Sequence, residues 1–184
     1  VAVMAFRQRQ SASLLRYSFE RLSYAQQIAG AGLWDWDLAS GRHSWSDEFF
    51  HLCGLDPAIH RAGYKAWHGA LHPDDRKAVA RLVGQALHDG SPLFAEYRIL
   101  LPNSQVRWLE AYGQVRRNER GVPVRFTGMC LDVTRRKTLE AERERYRKFF
   151  NSSSDLMSII RADGVRQTAN AAFAATLGYP VSEL

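Results

Sequence analysis

The apolar positions of this chain change their period as it is read from one end to the other. Leu15, Leu22 and Ala29 recur every seven residues with Ala25 between them, which predicts an amphipathic helix over residues 6–29. Gly30 and Gly32 end it. From there Leu33-Trp-Asp-Trp-Asp-Leu38 alternates apolar with polar, the period of a strand. A Ser40-Gly41 turn leads to a second short strand at 43–46. Asp47 is placed to cap a short helix that runs to Gly54 and buries Phe49, Phe50 and Leu52. Residues 66–71 read as another helical piece. His72-Pro-Asp-Asp75 announces a longer helix, with Pro73 in its first turn and two acids where the helix dipole favours them. Val79, Leu82, Val83 and Leu87 form its apolar face, and Gly90 stops it.

Three longer runs follow at 93–101, 106–117 and 122–133, separated by turn-rich Pro102-Asn-Ser104 and by 118–121. Two strands, then helices, then three strands predict an α+β domain over residues 30–133. Its architecture is a five-stranded antiparallel sheet with helices on one face. A charged helix over 134–150 leaves the last strand. The pattern then begins again in 151–184: Leu156 answers Leu33, Asn170 answers Asp47, Phe173 answers Phe50, and Gly178 answers Gly54 with one residue of slip. This last stretch carries the pattern of two strands and a short helix. Leu156, Ile159, Ile160, Phe173 and Leu177 therefore need a packing partner.

Composition narrows the class. Hydrophobic residues make up 46% of the 184 and charged ones 24%, which is ordinary for a globular protein. Two cysteines, Cys53 and Cys130, cannot form a disulfide framework and point to a reducing, cytoplasmic setting. No apolar run reaches the length of a membrane span. The apolar start followed by Arg7, Gln8 and Arg9 leaves room for membrane anchoring of a longer parent through a segment before Val1. The net charge is +6, and 116–148 holds 11 Lys or Arg against 5 Asp or Glu. A basic stripe of that kind raises the alternative of a nucleic-acid-binding domain. The basic residues interleave with Glu140, Glu142 and Glu144, however, which is the pattern of a solvated helix face, so no nucleic acid is expected.

The junction of sheet and charged helix is the most telling stretch: Phe126-Thr-Gly-Met-Cys-Leu-Asp-Val-Thr-Arg-Arg-Lys137. It resembles the C-terminal motif of PAS domains of the bacterial sensor type. The other matching pieces are Gly32-Leu-Trp-Asp-Trp-Asp37, Trp45-Ser-Asp47, His72-Pro-Asp-Asp-Arg76, Glu96-Tyr-Arg98 and Arg107-Trp108. Residues 151–184 resemble the start of a second PAS domain. The resemblance implies a non-catalytic sensory and dimerisation module of a larger signal-transduction protein, a histidine kinase or a cyclic-di-GMP enzyme. Its signal would pass through Asp132 and Thr134 to the helical linker and on to downstream domains. A homodimer is expected, with Leu15, Leu22, Ala25 and Ala29 as a seam.

Candidate chemistry is sparse. His72 with Asp74, Asp75 and Arg76 reads as helix capping rather than a metal site. Glu96 and Glu110 read as ion-pair partners of Arg98 or Arg107. Trp34, Trp36, Phe50, Trp67 and Trp108 are the candidate lining of a small-molecule cavity. The cofactor stays unassigned. Leu52-Cys-Gly-Leu55 does not match the Asn-Cys-Arg-Phe-Leu-Gln stretch of flavin-binding members, and the long helix offers only His88, at its very end, as a haem ligand. Both features argue against flavin and haem.

Overall fold

A computed structural model describes Tyr17, Arg21, Tyr24 and residues 28–178. The seam positions Leu15, Leu22 and Ala25 lie outside the described residues; Ala29 is described and exposed. The chain divides into two units, 1–134 and 135–184.

In the first unit, β1 (Gly32–Asp37) and β2 (Arg42–Trp45) form a hairpin. Two short helices follow, α1 (Asp47–Leu52) and α2 (Tyr64–Ala70). A 3-10 turn (Pro73–Asp75) then opens α3 (Arg76–Asp89), so the expected single helix starts with a tighter turn. Strands β3 (Leu93–Leu100), β4 (Val106–Arg117) and β5 (Pro123–Asp132) complete an antiparallel five-stranded sheet in the order β2-β1-β5-β4-β3. The period-2 rule sets which side chains face the helices. Leu93, Ala95, Tyr97 and Ile99 of β3 point inward with Leu109, Ala111 and Val115 of β4 and with Phe126 and Cys130 of β5. Phe49, Val79, Val83 and Ala86 from the helices close over them, with Leu71 just after α2.

The inner row of β4 begins at Arg107 and ends at Arg117, and each guanidinium pins a helix terminus. Arg107 donates to the carbonyls of His51 and Leu52 at the end of α1, at 2.6 and 2.9 Å. Arg117 donates to those of Leu87 and His88 at the end of α3, at 3.0 and 2.9 Å. A cation there satisfies carbonyls that a helix leaves unpaired and lies at the negative end of its dipole. Arg98 does the corresponding work on the acidic side, holding Asp75 through its backbone N–H at 2.8 Å and its side chain at 2.6 Å. Arg98 and Arg107 therefore pair with Asp75 and Asp132, not with Glu96 or Glu110 as the sequence led one to expect. Those two glutamates sit directly opposite each other on β3 and β4.

Helix α1 is capped by Ser46, one residue before the expected Asp47. Ser46 Oγ accepts the Phe49 N–H at 3.3 Å and the Leu33 N–H at 3.0 Å. Asp47 stands instead in the acidic first turn.

The second unit begins in α4 (Thr134–Ser152) and continues with a hairpin of β6 (Ser158–Ile160) and β7 (Arg166–Ala169), then α5 (Ala171–Leu177). The lock of the first unit recurs here. Asn170, fully buried, accepts the Phe173 N–H at 3.0 Å and the Met157 N–H at 3.2 Å, across the same 3 and 13 residues that Ser46 spans. The correspondence is thus Leu33 with Met157, Ser46 with Asn170 and Phe49 with Phe173, in register with Gly54 and Gly178, which share a left-handed φ of 70° and 76°. The slip in the sequence alignment disappears. Leu156, Ile160, Val165 and Leu177 remain exposed.

Candidate functional site

Between sheet and helices the first unit encloses a cavity of about 60 Å³. Three of the five aromatic residues expected to line it do so: Trp34, Trp36 and Trp67. Phe50 does not. It is buried on the far side of Trp45, whose ring meets it edge-on at 4.9 Å. Trp108 does not either. The alternation of β4 sends it to the outer sheet face, where the Arg98 guanidinium lies over its ring at 5.6 Å. His43, Tyr64, Tyr97 and Phe126 were not expected from sequence and complete the wall.

The seat of Trp34 explains two glycines. Gly113 and Gly128 are partners across β4 and β5, and Trp34 pairs with Gly128 across β1 and β5. A Cβ at Gly128 would collide with the Tyr112 carbonyl oxygen and the Trp34 ring; one at Gly113 would come within 2.8 Å of that ring. Both positions leave a slot on the sheet into which the indole lies flat, edge-on to Phe126 at 4.9 Å.

The polar content of the wall is small. The Tyr97 hydroxyl accepts the Trp67 Nε1–H at 3.3 Å and stands 3.4 Å from Cys130 Sγ. Burial holds the Tyr97 phenol neutral well above its ordinary range. His43 stacks on Trp36 at 4.9 Å; burial lowers its pKa, against a smaller upward pull from Asp35. Cys53 and Cys130 are buried outside the wall, and burial raises both thiols, Cys130 to about 12. They are therefore protonated and poorly nucleophilic. A space of 60 Å³ accepts a few waters, whereas pockets for drug-sized ligands are about 300–1,000 Å³. Side chains must move before anything of flavin size could enter. No group of three or more His, Cys, Asp or Glu among the described residues is arranged to hold a metal ion.

The exit from the sheet is tied to the cavity wall by one arginine. Asp132 closes β5 and pairs with Arg107 Nε at 3.2 Å while accepting the Thr134 N–H at 2.8 Å. The Thr134 hydroxyl reaches back to β4 and accepts the Trp108 N–H at 2.9 Å. Arg107 also holds the end of α1, the helix that contributes Phe49 to the cavity. Asp132 has a second role. Helix α4 opens with Arg135, Arg136 and Lys137, three cations at the positive end of its dipole and no acid in its first turn, and Asp132, which accepts the Thr134 N–H, is the acid that precedes them in the chain. Sequence reasoning singled out Asp132 and Thr134, and took Arg107 only as part of a motif and as a partner for a glutamate; its place at the strand end, beside Asp132, appears only with the register.

Comparison with known proteins identifies this arrangement. The profile of a family described as the PAS fold matches residues 42–130. A solved sensory box histidine kinase/response regulator from Burkholderia thailandensis is 30% identical. The match covers 70% of this chain and 98% of that one, with a TM-score of 0.57. A blue-light-activated histidine kinase of Brucella anthropi is 30% identical over 169 residues, 87% of this chain and 34% of its own length. A probable diguanylate cyclase, DgcE, of Escherichia coli K12 is 28% identical over 120 residues, 65% of this chain and 11% of its own length. The chain spans between about a tenth and a third of the first curated relatives it matches.

Proposed function

The chain belongs to the PAS-fold family, and on that premise we propose that residues 30–133 are the non-catalytic sensory module of a larger signalling protein of the histidine-kinase or diguanylate-cyclase kind. The state of the aromatic cavity leaves the domain through Asp132, Val133 and Thr134 and enters α4. Residues 151–178 open a second domain of the same fold, which makes α4 the joint between two sensors.

The Arg107 bridge is the observation that carries this reading. One guanidinium holds the end of α1, which lines the cavity, and the carboxylate that steadies the first turn of α4. A shift of α1 by a fraction of an ångström changes three charge-assisted bonds at once, and each is strong enough to bias a two-state joint. A small-molecule ligand acts by moving Phe49 or Trp67. The lack of a convergent nucleophile and base in the wall fits a sensor rather than an enzyme.

Hydrogen exchange tests the coupling. Phe49→Leu trims the cavity wall without touching the junction. Exchange at residues 134–138 should quicken by about tenfold in that variant and show no further change when Arg107→Ala is added. If Phe49→Leu alters exchange in α1 but leaves 134–138 unchanged, the route through Arg107 is wrong.

A further inference from the structure

The chemistry of the cavity wall is narrow enough to name the class of molecule that fits it. Fourteen residues line the cavity, and none is Asp, Glu, Lys or Arg. The one side chain there that could carry a positive charge, His43, is held toward its neutral form by burial. An ion brought against such a wall would stay unpaired, at a cost that packing does not return. The buried Tyr97 hydroxyl is already engaged, accepting the Trp67 Nε1–H at 3.3 Å and facing Cys130 Sγ at 3.4 Å. The occupant must therefore be neutral and mostly apolar.

Its shape follows from Trp34. That ring rests on the backbone of Gly113 and Gly128, where no Cβ has room, so what it offers the cavity is a flat π face. The rings around it already meet edge to face: Phe126 with Trp34 at 86°, Trp67 with Tyr97 at 83°, and Tyr64 with Trp67 at 62°. Such a wall extends the same pattern to one more ring. Its size follows from the volume. At about 10–15 Å³ for each water, 60 Å³ admits about four to six waters, whose share of liquid is about 120–180 Å³. That is the room one benzene-sized molecule occupies. We infer that the cavity holds one neutral, six-membered aromatic ring with at most a small substituent, stacked on Trp34. Carboxylates, amines and phosphates are excluded by the wall itself.

This inference rests on the reading of residues 30–133 as a sensory module and names its ligand class. Benzene, benzoate and cyclohexane are the probes, added to the 184-residue chain labelled with nitrogen-15, in which five indole N–H signals locate binding. Benzene should saturate with a Kd of about 0.1–1 mM and move the signals of Trp34 and Trp67, while Trp108, on the outer sheet face, stays in place. Benzoate should bind at least about a hundredfold more weakly, because its carboxylate finds no partner. Relative to its own transfer from water to hydrocarbon, cyclohexane should bind about three- to tenfold more weakly than benzene, because it brings no π face. Trp34→Leu removes the platform and should weaken benzene about tenfold; Val83→Ile narrows the cavity by one methylene and should weaken it about fivefold. Circular dichroism checks that each variant keeps its fold. Benzene that moves no cavity indole or moves Trp108 equally, benzoate that binds as well as benzene, or two folded variants with unchanged affinity overturns the inference. If benzene fails while Phe49→Leu still reaches residues 134–138, the sensory reading stands and the ligand class falls. If benzene binds as expected while residues 134–138 respond neither to it nor to Phe49→Leu, the ligand class stands and the route through Arg107 falls.

Discussion

At the scale of single residues, the site depends on what is left out as much as on what is present. Gly128 has no side chain because the Trp34 ring and the Tyr112 carbonyl occupy its space. Backbone cannot yield as a flexible side chain can, so Gly128→Ala should cost about 3 kcal/mol, near the upper end of overpacking effects. Thermal unfolding followed by Trp emission measures it; a cost under about 1 kcal/mol would mean the indole has another seat. His43 should make the cavity sensitive to pH. Its folded pKa lies below the ordinary 6.5, chiefly through burial. A base with a depressed pKa contributes stability that is complete above 6.5 and is lost as pH falls through the lower, folded value. The midpoint temperature of the parent should therefore drop below pH 6.5 more steeply than that of His43→Gln, with Trp36 emission changing over the same window. Parallel curves for the two proteins would remove His43 from the account. Gly128 stands in the junction motif read from the sequence, but the contacts of neither residue were legible there. A glycine inside a strand marks a close approach but not its partner, and a histidine beside a turn gives no sign that a tryptophan across the hairpin will stack on it.

At the scale of elements, the sequence was informative wherever a period was long enough to count. The sheet, its helices and the exit at Asp132 all follow from alternation, from a four-residue apolar face and from a turn. The misplaced details have local causes. Ser46 and Asp47 both suit a cap, and the choice falls to Ser46 because its hydroxyl also reaches the Leu33 N–H, thirteen residues back on the neighbouring strand. Trp108 was assigned to the cavity on residue type, but its place on β4 has the outward parity. The exit itself is finely balanced. Three cations open α4, and the acid that precedes them, Asp132, accepts the N–H of its first residue, Thr134. Asp132→Ala removes a capping acceptor and a dipole partner together, so it should cost about 1 kcal/mol and fray residues 134–138 first. Amide exchange confined to that turn is the expected sign. An even loss across the sheet would mean that Asp132 supports β5 rather than the helix.

At the scale of the whole molecule, the two units start from the same lock and complete it to different degrees. The first surrounds its hairpin and capped helix with three more strands and a longer helix, and buries Leu71, Ile99, Leu109 and Phe126 almost completely. The second has a two-stranded sheet and a seven-residue helix. Its buried members in the hairpin and helix, Ala169, Asn170 and Ala174, are small or polar, and Leu156, Ile160 and Leu177 stay about half exposed. Hydrophobic stabilisation scales with the apolar area removed from water, so the second unit is the weaker one. Asn170 holds it instead, accepting from Met157 and Phe173 and donating to the carbonyls of Ser153 and Asp155. The five tryptophans, at 34, 36, 45, 67 and 108, all lie in the first unit and report on it alone. In a urea titration, exchange protection across 158–177 should vanish while Trp emission is still native, so the two probes should give separate transitions. Asn170→Ala should move the first transition to lower urea and leave the second in place, because no hydrogen bond of that side chain reaches the large sheet. Coincident transitions in the parent would mean that the fold has a single cooperative unit and that the second lock gains its stability from the first.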